Sequence, residues 1–307
     1  MNMDFIISAI ITVVGISTPI LLAATGELVV EKSGVLNLGV EGMMLVGAVT
    51  GFAVTFTTFN PWLGVLAGAA AGAAVSMVFA LLVLSLGANQ VATGLALAIL
   101  GIGLSTLVGA GFVGIIVPPF SSIFPESLAR DPFWRVLFGY SPLVYIALLM
   151  VLAVGWFLKN TRTGLVLRAV GENDLSAHSI GYSVIGIRYA AIAFGGAMAG
   201  IAGSYFSMVI TTMWAEQMTA GRGWIALALV VFAGWKAGRL VLGAYLFGTL
   251  MTLELYAKAT GFSFLPSQFW ASMPYVMAIV VLALISLRDR SGSRAPACLG
   301  KPFVSNS

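Results

Sequence analysis

The sequence predicts an all-α membrane protein that crosses the bilayer about nine times, within a range of eight to ten. Of its 307 residues, 60% are hydrophobic and 8% carry a formal charge, and the mean hydropathy is +1.03. The 84 residues from Gly42 to Pro125 contain no Asp, Glu, Lys or Arg, which is room for about three helices of about 20 residues each. In a typical soluble domain about a quarter of the residues are charged. Composition therefore excludes a soluble enzyme, a nucleic-acid-binding protein and a disordered chain.

Apolar blocks separated by short polar breaks define the predicted spans, some of them short or broken. They cover residues 5–25, 36–56, 62–86, 91–117, 141–158, 189–210, 223–235, 240–257 and 271–287. The first block is as long as a span, longer than the apolar region of a signal peptide, so we interpret it as a membrane helix. The seventh has only 13 residues between Arg222 and Lys236, so we expect it to be short, tilted or partly re-entrant.

The distribution of Lys and Arg predicts the orientation. With the carboxyl end inside, nine crossings put 11 of the 15 Lys and Arg residues in inside segments, as the positive-inside rule requires. We expect a multi-pass plasma-membrane protein with a single transmembrane domain over residues 1–290 and a long inside loop at 159–188. Residues 291–307 form a polar cytoplasmic tail that we expect to be disordered.

Glycines recur at intervals of four in three of the predicted spans. The three sets are Gly47 and Gly51; Gly64, Gly68 and Gly72; and Gly196 and Gly200. This spacing places the glycines on one face of each helix, where backbones can approach closely. The pattern predicts helix packing rather than a binding site.

The inside loop contains the clearest signal for a short helix outside the membrane. Asn173 or Asp174 can cap its start and Gly181 can end it. A helix of about two turns is not stable alone in water. The loop is therefore either a solvated anchor for orientation or a docking element for a cytosolic partner.

A polar interruption precedes the second predicted span. Asn37 and Glu41 lie among glycines where an apolar helix would otherwise begin. An ionisable group at a membrane helix usually faces the protein interior or water, which makes both residues candidates for a solute pathway. Glu41 is equally well explained as a carboxylate at a helix start. Asn89 and Gln90 are weaker candidates, because they fall at an inside turn and favour a structural role.

Missing motifs exclude several functions. The chain has no G-x-x-x-x-G-K-[ST] sequence, so it cannot bind ATP through a P-loop of its own. Its only histidine, His178, lies in the inside loop, and its only cysteine, Cys298, lies in the tail. We therefore expect no metal site, no cofactor and no catalytic residues. Few carboxylates lie near the spans, which disfavours an ion-coupled carrier.

Two segments resemble a known family. The first is Gly-Val-Leu-Asn at Gly34–Asn37 followed by Glu-Gly-Met-Met at Glu41–Met44, and the second is Arg-Ala-Val-Gly-Glu-Asn at Arg168–Asn173 with Ala177 and Gly181 after it. Together they resemble the permease subunit of bacterial ABC importers of the branched-chain amino acid, ribose and nucleoside type. The first segment is similar to the nucleoside and simple-sugar branch.

The inside loop departs from the family pattern at three positions. Asp174 stands where proline is common, Ser176 where alanine is common, and Tyr182 where a branched aliphatic residue is common. Further motifs of the family are present at Ala199–Gly203, Gly221–Ala228 and Gly234–Lys236. The resemblance covers roughly residues 17–287, which is nearly the whole chain.

The resemblance implies a transport subunit of the bacterial inner membrane rather than an enzyme. A separate cytosolic ATPase would dock on the inside loop through a coupling helix, and the residues that match the family there are Arg168, Gly171, Glu172, Asn173, Ala177 and Gly181. An extracytoplasmic binding protein would deliver a nucleoside-like or simple-sugar solute. A second permease, commonly a paralogue, would complete the pathway as a heterodimer. The alternatives are import of a branched-chain amino acid and, further off, an ion-coupled carrier.

Overall fold

A computed structural model describes residues 3–124, 132–259, 266–288 and 295–303. Within these ranges the regular structure is helical, and strand-type pairing is confined to two isolated bridges, Val113 with Trp214 and Ile116 with Met213. The helices are α1 (Met3–Lys32), α2 (Val40–Thr58), α3 (Pro61–Ala80), α4 (Gln90–Gly109), α5 (Pro132–Phe138), α6 (Pro142–Asn160), α7 (Arg162–Glu172), α8 (Asp174–Ser179), α9 (Val184–Tyr205), α10 (Arg222–Phe232), α11 (Ala237–Ala259) and α12 (Ser267–Arg288). A π-helical turn extends α3 over Leu81–Ser85 and another extends α9 over Phe206–Ile210.

Seven helices in the described part of the chain are long and apolar enough to cross a membrane. They confirm a polytopic α-helical protein and correspond to the first six predicted spans and the eighth. The seventh predicted span is α10, whose 11 residues extend only about 16 Å at 1.5 Å per residue. This is about half of a hydrocarbon core of about 30 Å. The ninth predicted span falls within α12.

The structure corrects the predicted end of the first span. The first predicted span ended at residue 25 and left the residues before the second span to a connection on the inside, but α1 continues to Lys32 and buries both Glu27 and Glu31. The carboxylates are tolerated there because each accepts a hydrogen bond. Glu27 Oε1 accepts from the backbone N–H of Asn37 at 3.3 Å, and Glu31 Oε2 accepts from Trp235 Nε1 at 2.5 Å.

The glycine stripes pack α2, α3 and α9 against one another, as the spacing predicted. A Cβ atom built at Gly47 would lie 2.5 Å from the Cα of Gly200, and one at Gly68 would lie 2.9 Å from the carbonyl oxygen of Gly47. Real Cβ atoms do not approach that closely, so only glycine fits. Ser204 Oγ strengthens the seam by donating to the carbonyl of Gly47 at 3.0 Å. These three helices form the packed centre of the described chain.

The inside loop contains two helices where the sequence predicted one. The predicted short helix is α8, and the side chain of Asn173 caps it by accepting from the N–H of Ser176 at 2.9 Å. Gly181 follows it with φ +93°, a conformation that favours glycine. The helix missed by prediction is α7, which Thr161 caps by accepting from the N–H of Gly164 at 3.0 Å. It follows α6 after a single residue.

Candidate coupling region and solute pathway

A buried ion pair ties α8 to the first membrane helix. Arg188, near the start of α9, has no exposed surface, and its Nη2 lies 3.1 Å from Asp174 Oδ2. Its Nε donates to the carbonyl oxygen of Ser33 at 3.1 Å. One guanidinium therefore joins the first residue of α8 to the end of α1. A displacement of α8 would act directly on the loop that leads into α2.

Gly171 brings α7 against the same loop. A Cβ atom there would lie 3.0 Å from the carbonyl carbon of Lys32 and 3.2 Å from the N atom of Gly34. Any side chain at this position would push α7 away from the α1–α2 connection. The close contact explains in physical terms why the motif has glycine here.

The tail adds a third connection. Within residues 295–303, the N–H of Cys298 donates to the carbonyl of Gly171 at 2.9 Å, and the N–H of Gly300 donates to the carbonyl of Gly34 at 3.2 Å. Phe303 packs in a cluster with Val170, Ala177 and Val184. This part of the tail is thus folded onto helices α7 and α8 and the α1–α2 loop, which together we name the candidate coupling region, and the expectation of disorder does not hold for it. The other tail residues, 291–294 and 304–307, lie outside the described ranges.

The structure separates the six predicted coupling residues into three groups. Gly171 and Ala177 are buried against the chain's own α1–α2 loop and α9. Glu172, Asn173 and Gly181 are exposed. Arg168 lies between these extremes and lines a cavity beside the ends of α1 and α6. The family motif therefore combines residues that shape the segment with residues that a partner could reach.

Sequence reasoning missed the apolar side chains exposed in this segment. Leu175 is 51% exposed, Ile180 is 72% exposed and Tyr182 is 42% exposed. Apolar residues gathered on an exposed polar segment are typical of an interaction surface. The sequence did contain a sign of this surface. A fully solvated loop would have polar residues at these three positions, but this chain has leucine, isoleucine and tyrosine.

Glu41 is fully engaged by the segment that precedes α10. Its Oε1 accepts from Thr219 Oγ1 at 2.6 Å and from the N–H of Gly221 at 2.8 Å, and its Oε2 accepts from the N–H of Gly223 at 2.7 Å. The carboxylate is buried and stands at the N-terminus of α10, where the helix dipole favours negative charge. The structure thus places Glu41 as a clasp between α2 and α10.

Asn37 and Gln90 organise the loop before α2. Asn37 is fully buried, and its Oδ1 accepts from the N–H of Gly39 at 3.0 Å. Gln90 Oε1 accepts from the N–H of Leu36 at 2.8 Å, while its Nε2 donates to the carbonyl of Lys301 at 3.3 Å. Asn89 caps α4 by accepting from the N–H of Ala92 at 3.0 Å. The structural role that the inside turn favoured for Asn89 and Gln90 is confirmed.

Together these features define a class of protein: a polytopic α-helical membrane protein with two short helices, α7 and α8, that are not candidate spans and are linked to its core. The family model for the permease component of branched-chain amino acid transport systems matches residues 9–286. The chain belongs to this family of transport permeases. It is accordingly a transport subunit and not an enzyme.

Characterised and putative relatives match over nearly the full chain. A putative glucose ABC transporter permease protein of Haloferax volcanii is 40% identical, covering 94% of each chain. A guanosine ABC transporter permease protein of Bacillus subtilis is 30% identical, covering 94% of this chain and 93% of its own. A nucleoside ABC transporter permease protein of Lactococcus lactis is 29% identical, covering 87% and 89%. No solved structure matches the chain.

Proposed function

We propose that the chain is the membrane-spanning subunit of an ATP-driven ABC importer for a sugar or a nucleoside. The relatives that carry this proposal are named as glucose, guanosine and nucleoside permeases, at 29–40% identity over most of the chain. A permease component of an ABC transporter works with an ATPase and a solute-binding protein. Here the solute would arrive from an extracytoplasmic binding protein.

The observation that supports coupling best is the triple attachment of the α7–α8 segment. Arg188 joins Asp174 to Ser33, Gly171 packs on the α1–α2 loop, and the tail binds both. The ATPase would grip the exposed face that includes Leu175 and Ile180. Because the attachments are direct contacts, a displacement of α8 would displace the end of α1 and the start of α2 as well.

In this proposal the chain crosses the membrane nine times, with α10 as a short crossing and α12 as the last. The carboxyl end is then cytoplasmic, on the same side as the α7–α8 segment. The docking of residues 295–303 on that segment supports this arrangement, because it requires both to lie on one side. A second permease, of paralogous sequence, would complete the solute pathway.

Asn37 and Glu41 act in this proposal as supports of the pathway rather than as ligands of the solute. Hydrogen bonds within the chain already occupy the Glu41 carboxylate and the Asn37 side-chain oxygen. Their role would be to hold the α1–α2 loop and the start of α10 in register. Solute contact would then fall to other residues of the two permeases.

The test is reconstitution in liposomes of the chain with its ATPase, second permease and binding protein. We expect ATP-dependent uptake of radiolabelled glucose or guanosine, and no uptake when the binding protein is omitted. Uptake of leucine alone would replace the proposed solute with a branched-chain amino acid. Uptake by the chain alone under an ion gradient would contradict the ABC assignment and indicate a carrier.

A further inference from the structure

A basic cavity lies where α1, α6 and α7 meet the connection between α10 and α11. Its volume is about 550 Å³, and four of its lining side chains are basic: Lys32, Lys159, Arg168 and Lys236. Trp235 forms part of the wall. None of the described residues that line it is acidic. This volume falls within the range of cavities that hold small molecules.

The charges near the cavity are unbalanced. The nearest carboxylates that act on Lys32 are those of Glu31 and Glu172, and Glu31 already accepts the hydrogen bond from Trp235 Nε1. The described part of the chain contains two ion pairs, Arg188 with Asp174 and Lys258 with Glu254, and neither involves a residue of this cavity. Four basic groups facing these two carboxylates leave an excess of positive charge, and like charges repel one another. An anion in the cavity would remove that repulsion.

Arg168 provides an independent sign of a missing partner. Its Nε is buried and has no hydrogen-bond partner within the described structure. A buried N–H donor on a guanidinium usually has an acceptor, because leaving it unpaired is costly. An oxygen of a phosphate group bound among the four basic residues would become such an acceptor after a shift of the Arg168 side chain, because the Nε atom is closed to the cavity in this conformation.

The cavity continues into apolar surface in the direction of the membrane. Leu152 lies seven residues before Lys159 and so shares its face of α6, and it is 69% exposed. Leu242 lies four residues after Gly238, a lining residue on α11, and it is 73% exposed. Both leucines lie deeper in their spans than the basic side chains. An occupant with a charged head and an apolar tail would match this sequence of surfaces.

We propose that this cavity binds the headgroup of an anionic phospholipid, with an acyl chain along Leu152 and Leu242. Basic pockets between membrane helices at the cytoplasmic side are a known form of lipid-headgroup site, and tryptophan is enriched at the level of the headgroups. An acidic side chain of the ATPase would satisfy the charge but would leave the apolar strip unexplained. The lipid accounts for both.

The test is native mass spectrometry of the full-length chain in detergent with added phosphatidylglycerol or phosphatidylcholine. The chain should retain phosphatidylglycerol in preference to phosphatidylcholine. The variant Lys159→Gln with Lys236→Gln should bind phosphatidylglycerol roughly 30-fold more weakly, since each lysine near an anionic headgroup contributes a factor of about five. Each single variant should lose about fivefold, so the test survives if the double variant does not fold.

The matched control is Lys258→Gln with Lys301→Gln, which removes the same charge at exposed positions elsewhere. It should retain the lipid like the unmodified chain. Equal loss in the control, equal retention of the two lipids, or displacement of the lipid by millimolar inorganic phosphate would each overturn the proposal. So would an unchanged lipid affinity in the double variant combined with failure to bind the ATPase, which would assign the cavity to that partner.

Discussion

The glycine-packed centre and the candidate coupling region are held together in opposite ways. Helices α2, α3 and α9 meet through backbone contacts at Gly47, Gly68 and Gly200, with no charged side chain at those contacts. The candidate coupling region relies on a buried ion pair and on hydrogen bonds between segments far apart in the chain. Close-packed backbones have few alternative arrangements, so the first region should move as one body. The second has directional links that can transmit a displacement into it.

The largest effect should come from breaking the packed centre. Gly200→Leu places a side chain where a Cβ atom would already lie 2.8 Å from the carbonyl carbon of Gly68. Because the helices cannot separate without losing their seam, we expect the yield of monodisperse protein on size-exclusion chromatography to fall by roughly tenfold or more. Gly103→Leu is the control, since a Cβ atom there contacts nothing within 4 Å. Equal yields from both variants would contradict the packing account.

The next largest effect is the loss of unfolding free energy when a buried ion pair is broken, compared with the loss when an exposed pair is broken. Arg188→Met leaves Asp174 buried without its partner and should lower the free energy of unfolding by about 3–5 kcal/mol. Lys258→Met breaks the exposed pair with Glu254, in which Lys258 is 48% exposed, and should cost no more than about 1 kcal/mol. Detergent-denaturation curves measure both. Equal costs would mean that burial does not distinguish the pairs.

An intermediate effect concerns the clasp at α10. Glu41→Gln preserves the shape but leaves a neutral amide with one acceptor oxygen in place of a carboxylate that accepts three hydrogen bonds. We expect a loss of about 2 kcal/mol in the local opening free energy, seen as roughly 30-fold faster hydrogen exchange at the start of α10. Glu216→Gln changes an exposed carboxylate in the same connection and should leave exchange unaltered. Unchanged hydrogen exchange in Glu41→Gln would contradict the role of Glu41 in joining α2 to α10.

The smallest effect should be on the tail. Phe303→Ala removes the ring that packs against Val170, Ala177 and the ring of His178. Loss of this partly buried apolar area should cost about 1–2 kcal/mol and raise hydrogen exchange in α8 by roughly tenfold. Lys301→Ala is the control, because the Lys301 side chain is exposed and the residue makes its contact through its backbone carbonyl. Hydrogen exchange in α8 of this variant should equal that of the unmodified chain. Faster exchange in both variants would point to general loosening instead.

Much of this fold could be predicted from the sequence because bilayer length and apolar composition determine where helices lie. The glycine spacing also predicted that these spans pack closely, since only glycine permits such backbone contact, but it did not say which helices meet. The end of α1 was misjudged because Glu27 and Glu31 look like loop residues until their distant partners are known. The groups that donate hydrogen bonds to the two carboxylates are the N–H of Asn37, 10 residues from Glu27, and Trp235 Nε1, 204 residues from Glu31.

The candidate site could be predicted only where it depends on residues close together in the sequence. The capped helix α8 depends on neighbouring residues, and Asn173 and Gly181 indicated it correctly. Arg188 could not be recognised, because a basic residue after a loop normally signals orientation rather than a buried bond. Its partners, Asp174 and the carbonyl of Ser33, are 14 and 155 residues away. The folding of residues 295–303 onto the candidate coupling region likewise depends on contacts that no local pattern contains.

The central claim, that the link from Asp174 through Arg188 to Ser33 transmits the ATPase movement, is tested by solute molecules transported per ATP hydrolysed. The variant to reconstitute with its partners is Asp174→Asn with Arg188→Met, in which both side chains keep nearly their original volume and neither leaves an unpaired buried charge. Glu254→Gln with Lys258→Met is the matched control. We expect at least a roughly tenfold lower ratio in the first variant, with the ATPase still bound and active, and an unchanged ratio in the control. An unchanged ratio in both variants would contradict it.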